Sequence, residues 1–159
     1  MAGVFTAPIN ITSAFTAQID IFELLAGSGH PLDLLRIQLG QISEVGDAQE
    51  EGFVMVLKRV TGAPTSGSGG GTSTAVPTNP GGAAANVTLE TGNTTKLTGG
   101  TSSELARLPW NIRGDFLYVP TPDEVIRLDS STRLVLELAT TPADSVSGIF
   151  GYITFAELV

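Results

Sequence analysis

With 159 residues, 16 acidic side chains against 8 basic ones and no cysteine, the chain can bury one sizeable core but can form neither a disulfide nor a thiolate metal site. A net charge of −8 leaves no broad basic surface for tracking phosphates, so nucleic acid is not an expected partner. Charged residues make up 15% of the chain and hydrophobic ones 42%, a composition that folds and carries its surface polarity on Thr, Ser, Asn and Gly.

In chain order, residues 4–12 read as a strand interrupted by Pro8. Pro lacks the ladder N–H, so this is an edge strand, or residues 1–12 are an N-terminal arm that orders on a neighbour. The first fifteen residues lack a basic region followed by an apolar core, and no apolar run approaches the ~18 residues of a membrane span. Neither a signal peptide nor a membrane is therefore expected.

Residues 16–26 alternate until Ile21, where the phase flips to Phe22 and Leu24. A bulge produces such a flip, and a helical turn is the competing reading. Leu35, Ile37 and Leu39 alternate with polar residues, which marks 33–43 as a strand. An acidic connection, 44–52, leads to 53–60. There Phe53, Met55 and Leu57 share one face, while Val54, Val56 and Val60 share the other.

Residues 62–85 are Gly, Ser, Thr, Pro and Ala with no charge. Ordering each would cost on the order of 1–2 kcal/mol of backbone entropy with little burial to offset it. The stretch is expected to be a low-complexity loop within one domain spanning 1–159. Residues 86–91 read as a short strand. Residues 104–111 begin as a helical turn that Pro109 ends, and Trp110 is a packing anchor.

The stretch 115–158 organises the chain. Its short branched and aromatic runs are separated by Pro, Asp, Ser and Gly, the pattern of consecutive strands. Leu134, Leu136 and Leu138 point one way along one of them. The run 149–158 is apolar on both faces, so it is central or meets another subunit. Eight or nine strands are expected, arranged as an all-β antiparallel sandwich of jelly-roll type.

Candidate chemistry is sparse. His30, the one histidine, sits in the turn GSGHP and reads as a surface residue. Alone, it supports neither a zinc site nor a Ser-His-Asp arrangement. Residues 66–72 are Gly-rich but lack the Gly-Lys-Ser/Thr of a phosphate loop. Asp47, Glu50 and Glu51 could hold a divalent cation loosely, but they and Asp123 and Glu124 read better as solvated. Arg113-Gly114-Asp115 reads as a turn before the next strand. No catalytic residue, cofactor or metal is expected.

The segments RVTGAPTSGSGGGT, NTT, WNIRGDFLYVPTPDEVIRL and LVLELATTPADSVSGIFGYITFAEL together resemble small β-rich virion proteins of tailed bacteriophages. The resemblance spans residues 53–158. It rests mostly on the closing leucine-rich strand, the Pro-Ala-Asp turn, Ser-Gly and the final T-F-x-E strand. It implies a non-enzymatic capsid decoration or cement protein that stabilises the assembled head. The implied partners are the major capsid protein or other virion proteins, and the implied location is the capsid surface after assembly in the host cytoplasm. A homo-oligomer, with a trimer as the expected state, fits that role. The alternative is a tail, fibre or adaptor component that binds a receptor or glycan. The candidate subunit-interface residues are Phe5, Ile9, Trp110, Phe116, Tyr118, Phe150 and Tyr152. Deleting residues 1–12 is expected to spare the fold and weaken particle binding.

Overall fold

The structure is a computed structural model that describes residues 3–42 and 51–158. Twelve strands form among them: β1 (Gly3–Ile11), β2 (Asp20–Ala26), β3 (Leu32–Gln41), β4 (Gly52–Thr61), β5 (Gly71–Ser73), β6 (Val76–Pro77), β7 (Val87–Asn93), β8 (Thr101–Asn111), β9 (Phe116–Tyr118), β10 (Ile126–Leu128), β11 (Arg133–Leu138) and β12 (Ile149–Glu157). Their pairings are antiparallel and build two six-stranded sheets. The first runs β10-β3-β12-β1-β6, with β9 also beside β3; the second runs β5-β7-β2-β11-β4-β8. The expected all-β antiparallel sandwich is what the chain forms.

Alternation positions these strands. On β11, Leu134, Leu136 and Leu138 are fully buried between the sheets, opposite Leu24 and Phe22 on β2 and Leu57 and Met55 on β4. On β12, Ile149, Ile153 and Phe155 do the same from the other sheet. These two strands, both from the stretch 115–158, are the centres of their sheets. One hydrophobic cluster joins the two inner faces. Its aromatic members pair at ring distances of 5.7 Å for Phe5 and Phe155 and 6.2 Å for Phe53 and Trp110. The phase flip in β2 is a bulge: Phe22 pairs with Leu136 and Asp20 with Glu137, leaving Ile21 without an opposite residue.

If β5, β6 and β7 are set aside and β9 and β10 counted together, eight framework strands remain. Numbered along the chain, they order 1-8-3-6 in one sheet and 2-7-4-5 in the other. Every framework connection but one, that from β4 to β8 within the second sheet, therefore crosses from one sheet to the other.

Three local expectations change. Residues 3–11 are a framework strand instead of an arm. β1 pairs with β12 from Gly3 opposite Glu157 to Ile11 opposite Ile149, and Phe5, Ala7, Ile9 and Ile11 are buried. Pro8 is tolerated because its carbonyl accepts a hydrogen bond from Ser73 Oγ (2.6 Å), on the side away from β12. The missing N–H points that way too, toward an edge where β6 pairs only with Phe5 and Thr6. Residues 101–111 are strand β8 with no helical turn, because the ladder to β4 overrides local preference and Pro109 lies on a sheet edge. Lastly, 62–85 is ordered: it contributes β5 and β6, and its first half is laid against the second sheet.

Candidate functional site

The two outer faces of the sandwich differ. Across the second sheet, the outward positions of β2, β11 and β4 carry Asp20, Glu23, Arg133, Val135, Glu137 and Lys58. Strands this apolar on their other face would leave such groups in water, yet Asp20, Glu23, Val135 and Glu137 are buried. The chain covers them itself. Residues 62–70 and 94–100 pair through bridges at Thr65–Thr98 and Ser68–Thr95. Glycines in this cover come close to the sheet and leave backbone N–H groups free to bond downward. Gly67 N donates to Glu23 Oε1 (2.9 Å) and Leu97 N donates to Asp20 Oδ2 (2.7 Å).

Side chains complete the network. Asn93 Nδ2 donates to Glu23 Oε1 (2.6 Å). Arg133 Nη1 lies 3.4 Å from Glu23 Oε2 and donates to Ser66 Oγ (2.6 Å). Glu137 accepts from Lys58 and from Lys96 Nζ (2.9 Å for Lys96). Burial alone would raise the Glu137 carboxyl, but the two lysines hold it below the ordinary carboxylate range. Asp20 has no such direct cation. Burial, with Glu23 and Glu137 nearby, pushes it from 3.8 up to about 7, against the opposing pull of the Leu97 N–H and Lys96.

Folded Asp20 therefore holds its proton over a range in which the unfolded chain has released it. The stability this contributes is complete below pH 3.8 and is lost as pH rises through about 7. The difference has an upper bound of about 4 kcal/mol. Asp20→Asn keeps an oxygen for the Leu97 N–H and removes the ionisation. The variant is expected to match the parent's melting temperature at pH 4 and exceed it at pH 8, as read by thermal melts across that range. Parallel curves would refute the assignment.

The apolar second face of β4 is thus covered by this chain at Val56 and Val60, while Val54 stays exposed. Val56, Val60 and Val135 are buried on that side, and Pro64 and Gly100 lie close to Val60.

Among the described residues the first sheet has no equivalent cover. Its outer face carries Val4, Thr6, Pro8 and Asn10 on β1, Phe150, Tyr152, Thr154 and Ala156 on β12, and Arg36 and Gln38 on β3, all exposed or half-buried. Tyr152 Oη donates to Gln38 Oε1 (2.8 Å) and accepts from Arg36 Nη1 (3.2 Å). Three of the large exposed apolar residues follow one side of this sheet: Ile42 (64% exposed) just past β3, Leu117 (61%) on β9 and Val119 (51%) after it. Gly148 lies close to both Ile42 and Phe150.

The candidate interface residues divide accordingly. Phe5, Ile9, Trp110 and Phe116 are core side chains of this same chain. They cannot meet a second subunit while the sandwich is intact. Trp110 donates through Nε1 to Gly114 O (2.8 Å) and packs on Phe53 and Phe116. Phe150 and Tyr152 remain on the open face. Tyr118 is half-buried on the edge strand β9, packed against the core.

His30 is not a free surface residue. Its Nδ1 lies 2.6 Å from Glu157 Oε1, and Glu157 Oε2 accepts from Asn86 N (2.7 Å). The pair ties the β2–β3 turn and the start of β7 to the end of β12. Arg113, Gly114 and Asp115 are exposed in a turn fixed by Arg113 N donating to Asn111 Oδ1 (3.0 Å). Asp47 and Glu50 lie outside the described residues. Glu51 accepts from Ala143 N (2.8 Å), and Thr121 Oγ1 donates to Glu124 Oε2 (2.8 Å). Among the described residues no group of three or more His, Asp or Glu is arranged to hold a metal ion, and no helix is long and apolar enough to cross a membrane.

No protein-family model, curated protein or solved structure matches this chain.

Proposed function

We propose that this chain is a non-enzymatic virion structural protein, a decoration or cement protein that binds the assembled head of a tailed phage. We read its framework order, 1-8-3-6 against 2-7-4-5, as a jelly roll. The closing segment, 134–158, which carries most of the resemblance to phage virion proteins, holds the central strands of both sheets, so the likeness concerns the framework.

The observation that carries the reading is the asymmetry of the two faces. One face is closed by the chain's own loops. The other is a bare, weakly charged sheet flanked by exposed Ile42, Leu117 and Val119. Exposed apolar residues grouped at one side of a sheet suit a contact with a neighbouring subunit. Repeated around a symmetry axis, one such contact yields a homo-oligomer, and a trimer fits the three-fold positions of a shell. Binding to the closed shell and not to free subunits then stabilises the shell by mass action.

The test is sedimentation with undecorated heads. The protein is expected to co-sediment to a fixed stoichiometry and to raise the shell's melting temperature. Leu117→Asp is expected to keep the fold, because the side chain is exposed, and to weaken binding about tenfold or more, a cost typical of a charge placed in an interface. A protein that stays in the supernatant would overturn the head assignment. It would favour the second reading, a tail, fibre or adaptor component, which the depression around Tyr152 supports.

A further inference from the structure

We infer that the open face carries a binding site for an acidic saccharide, centred on Arg36 and Tyr152. The inference is independent of where on a particle the protein sits. A shallow depression of about 540 Å³ lies on this face, lined in part by Thr6, Arg36, Thr78, Tyr152 and Thr154.

Arg36 is the first reason. Of the eight basic side chains, Lys58, Lys96, Arg107, Arg127 and Arg133 are engaged by carboxylates. Arg36 is exposed and has no acidic partner among the described residues. Among the described residues its side chain hydrogen-bonds only the neutral Tyr152 hydroxyl. A guanidinium held in this way still presents most of its donors to a carboxylate.

Tyr152 is the second. It stands directly opposite Gln38 across the β12–β3 ladder, and neighbouring strands lie about 4.8 Å apart. For its hydroxyl to reach both Gln38 and Arg36 on β3, the ring must lean over that strand instead of standing out from the sheet. A leaning, anchored ring offers a preorganised surface to the C–H face of a sugar.

Hydroxyl groups are the third. Thr6 Oγ1 and Thr154 Oγ1 lie 3.3 Å apart, and Thr78 Oγ1 donates to Val4 O (3.1 Å) with its lone pairs left over. An aromatic surface, a rim of hydroxyls and one cation match a carboxylated sugar ring. A densely charged phosphate polymer suits the site less, because one arginine faces it within a chain of net charge −8.

The experiment is a ¹H–¹⁵N NMR titration of the full chain at low salt with trigalacturonate and with the neutral galactose trisaccharide. Saturable shifts are expected at Thr6, Arg36, Tyr152 and Thr154 with the acidic sugar, and binding about tenfold weaker with the neutral one. Arg36→Gln should weaken the acidic sugar about tenfold, the scale of one charge-assisted contact. Tyr152→Ala should do likewise, while Tyr152→Phe, which keeps the ring but loses the hydroxyl that anchors it to Gln38 and Arg36, should fall between the parent and Tyr152→Ala. If Tyr152→Ala fails to fold, Arg36→Gln and Tyr152→Phe still decide. Absence of saturable shifts, or affinity unchanged in Arg36→Gln, would overturn the site. Equal binding of acetate or inorganic phosphate would reduce it to a general anion contact and overturn the saccharide assignment.

Discussion

Leu136→Asp is expected to abolish folding. Leu136 is fully buried at the middle of β11, with Phe22 on one side and Leu57 on the other. A carboxylate there has no cation or water to meet. The polar network on the same strand lies on the opposite face, reached by Arg133 and Glu137 but not by Leu136. Burying an unpaired charge costs several kcal/mol even after the group neutralises itself, and the lost leucine contacts add about 2–5 kcal/mol. A domain's whole stability is about 5–15 kcal/mol. Circular dichroism of the purified variant should show no cooperative melt, and most of the protein should be insoluble. Leu136→Ala separates the two costs: it should fold with a lowered melting point. A soluble Leu136→Asp variant that melts within a few degrees of the parent would mean that β11 is not at the centre of the sheet.

Removing residues 1–11 is expected to unfold the chain as well, the reverse of what an arm would do. The deletion takes Phe5, Ile9 and Ile11 from the core, together with the stacking of Phe5 on Phe155 at 5.7 Å. At roughly 1.5–3 kcal/mol for each large side chain, the loss approaches the stability of the domain before any ladder bond is counted. It also bares one edge of β12 along its full length, and a long unpaired edge invites association. Size-exclusion chromatography should show aggregate or an expanded chain. A truncated protein that elutes and melts like the parent would restore the arm.

The strands with clean alternation were legible in the sequence. Leu134-Leu136-Leu138 announce their inner face through a period of two; in β3 that period holds for Ile37 and Leu39 only, because a bulge at Leu35 leaves that side chain half-buried outside the core and gives the inner position to Leu34. Pro8 misdirected the reading of β1, since a sequence does not say which side of a strand a missing N–H faces. Phe5, Trp110 and Phe116 were marked as contacts because an apolar pattern does not distinguish a core from an interface.

The cover over the second sheet was hidden for a different reason. Residues 62–70 show no burial signal because they are held by their backbone N–H groups, which every sequence possesses. The signal that was present lay elsewhere, in Asp20, Glu23 and Glu137. Acids placed on the second face of otherwise apolar strands call for partners, and those partners turned out to be the backbone amides of Gly67 and Leu97, the Asn93 side chain and three distant cations. On the open face, Tyr152 was singled out for its aromatic ring. Its link to Arg36 depends on a cross-strand register that no local pattern contains.

The crossing of all but one framework connection between the sheets has a consequence for how the chain acquires its structure. β1 and β2, made first, wait for β12 and β11, made more than a hundred residues later. Neither sheet can close until residues 133–157 have been synthesised. Contacts of such sequence separation fold slowly, because loop closure precedes any gain from pairing. During synthesis the growing polypeptide therefore carries unpaired apolar strands for most of its length. Nascent chains crowded on one messenger would be exposed to cross-pairing for that whole interval.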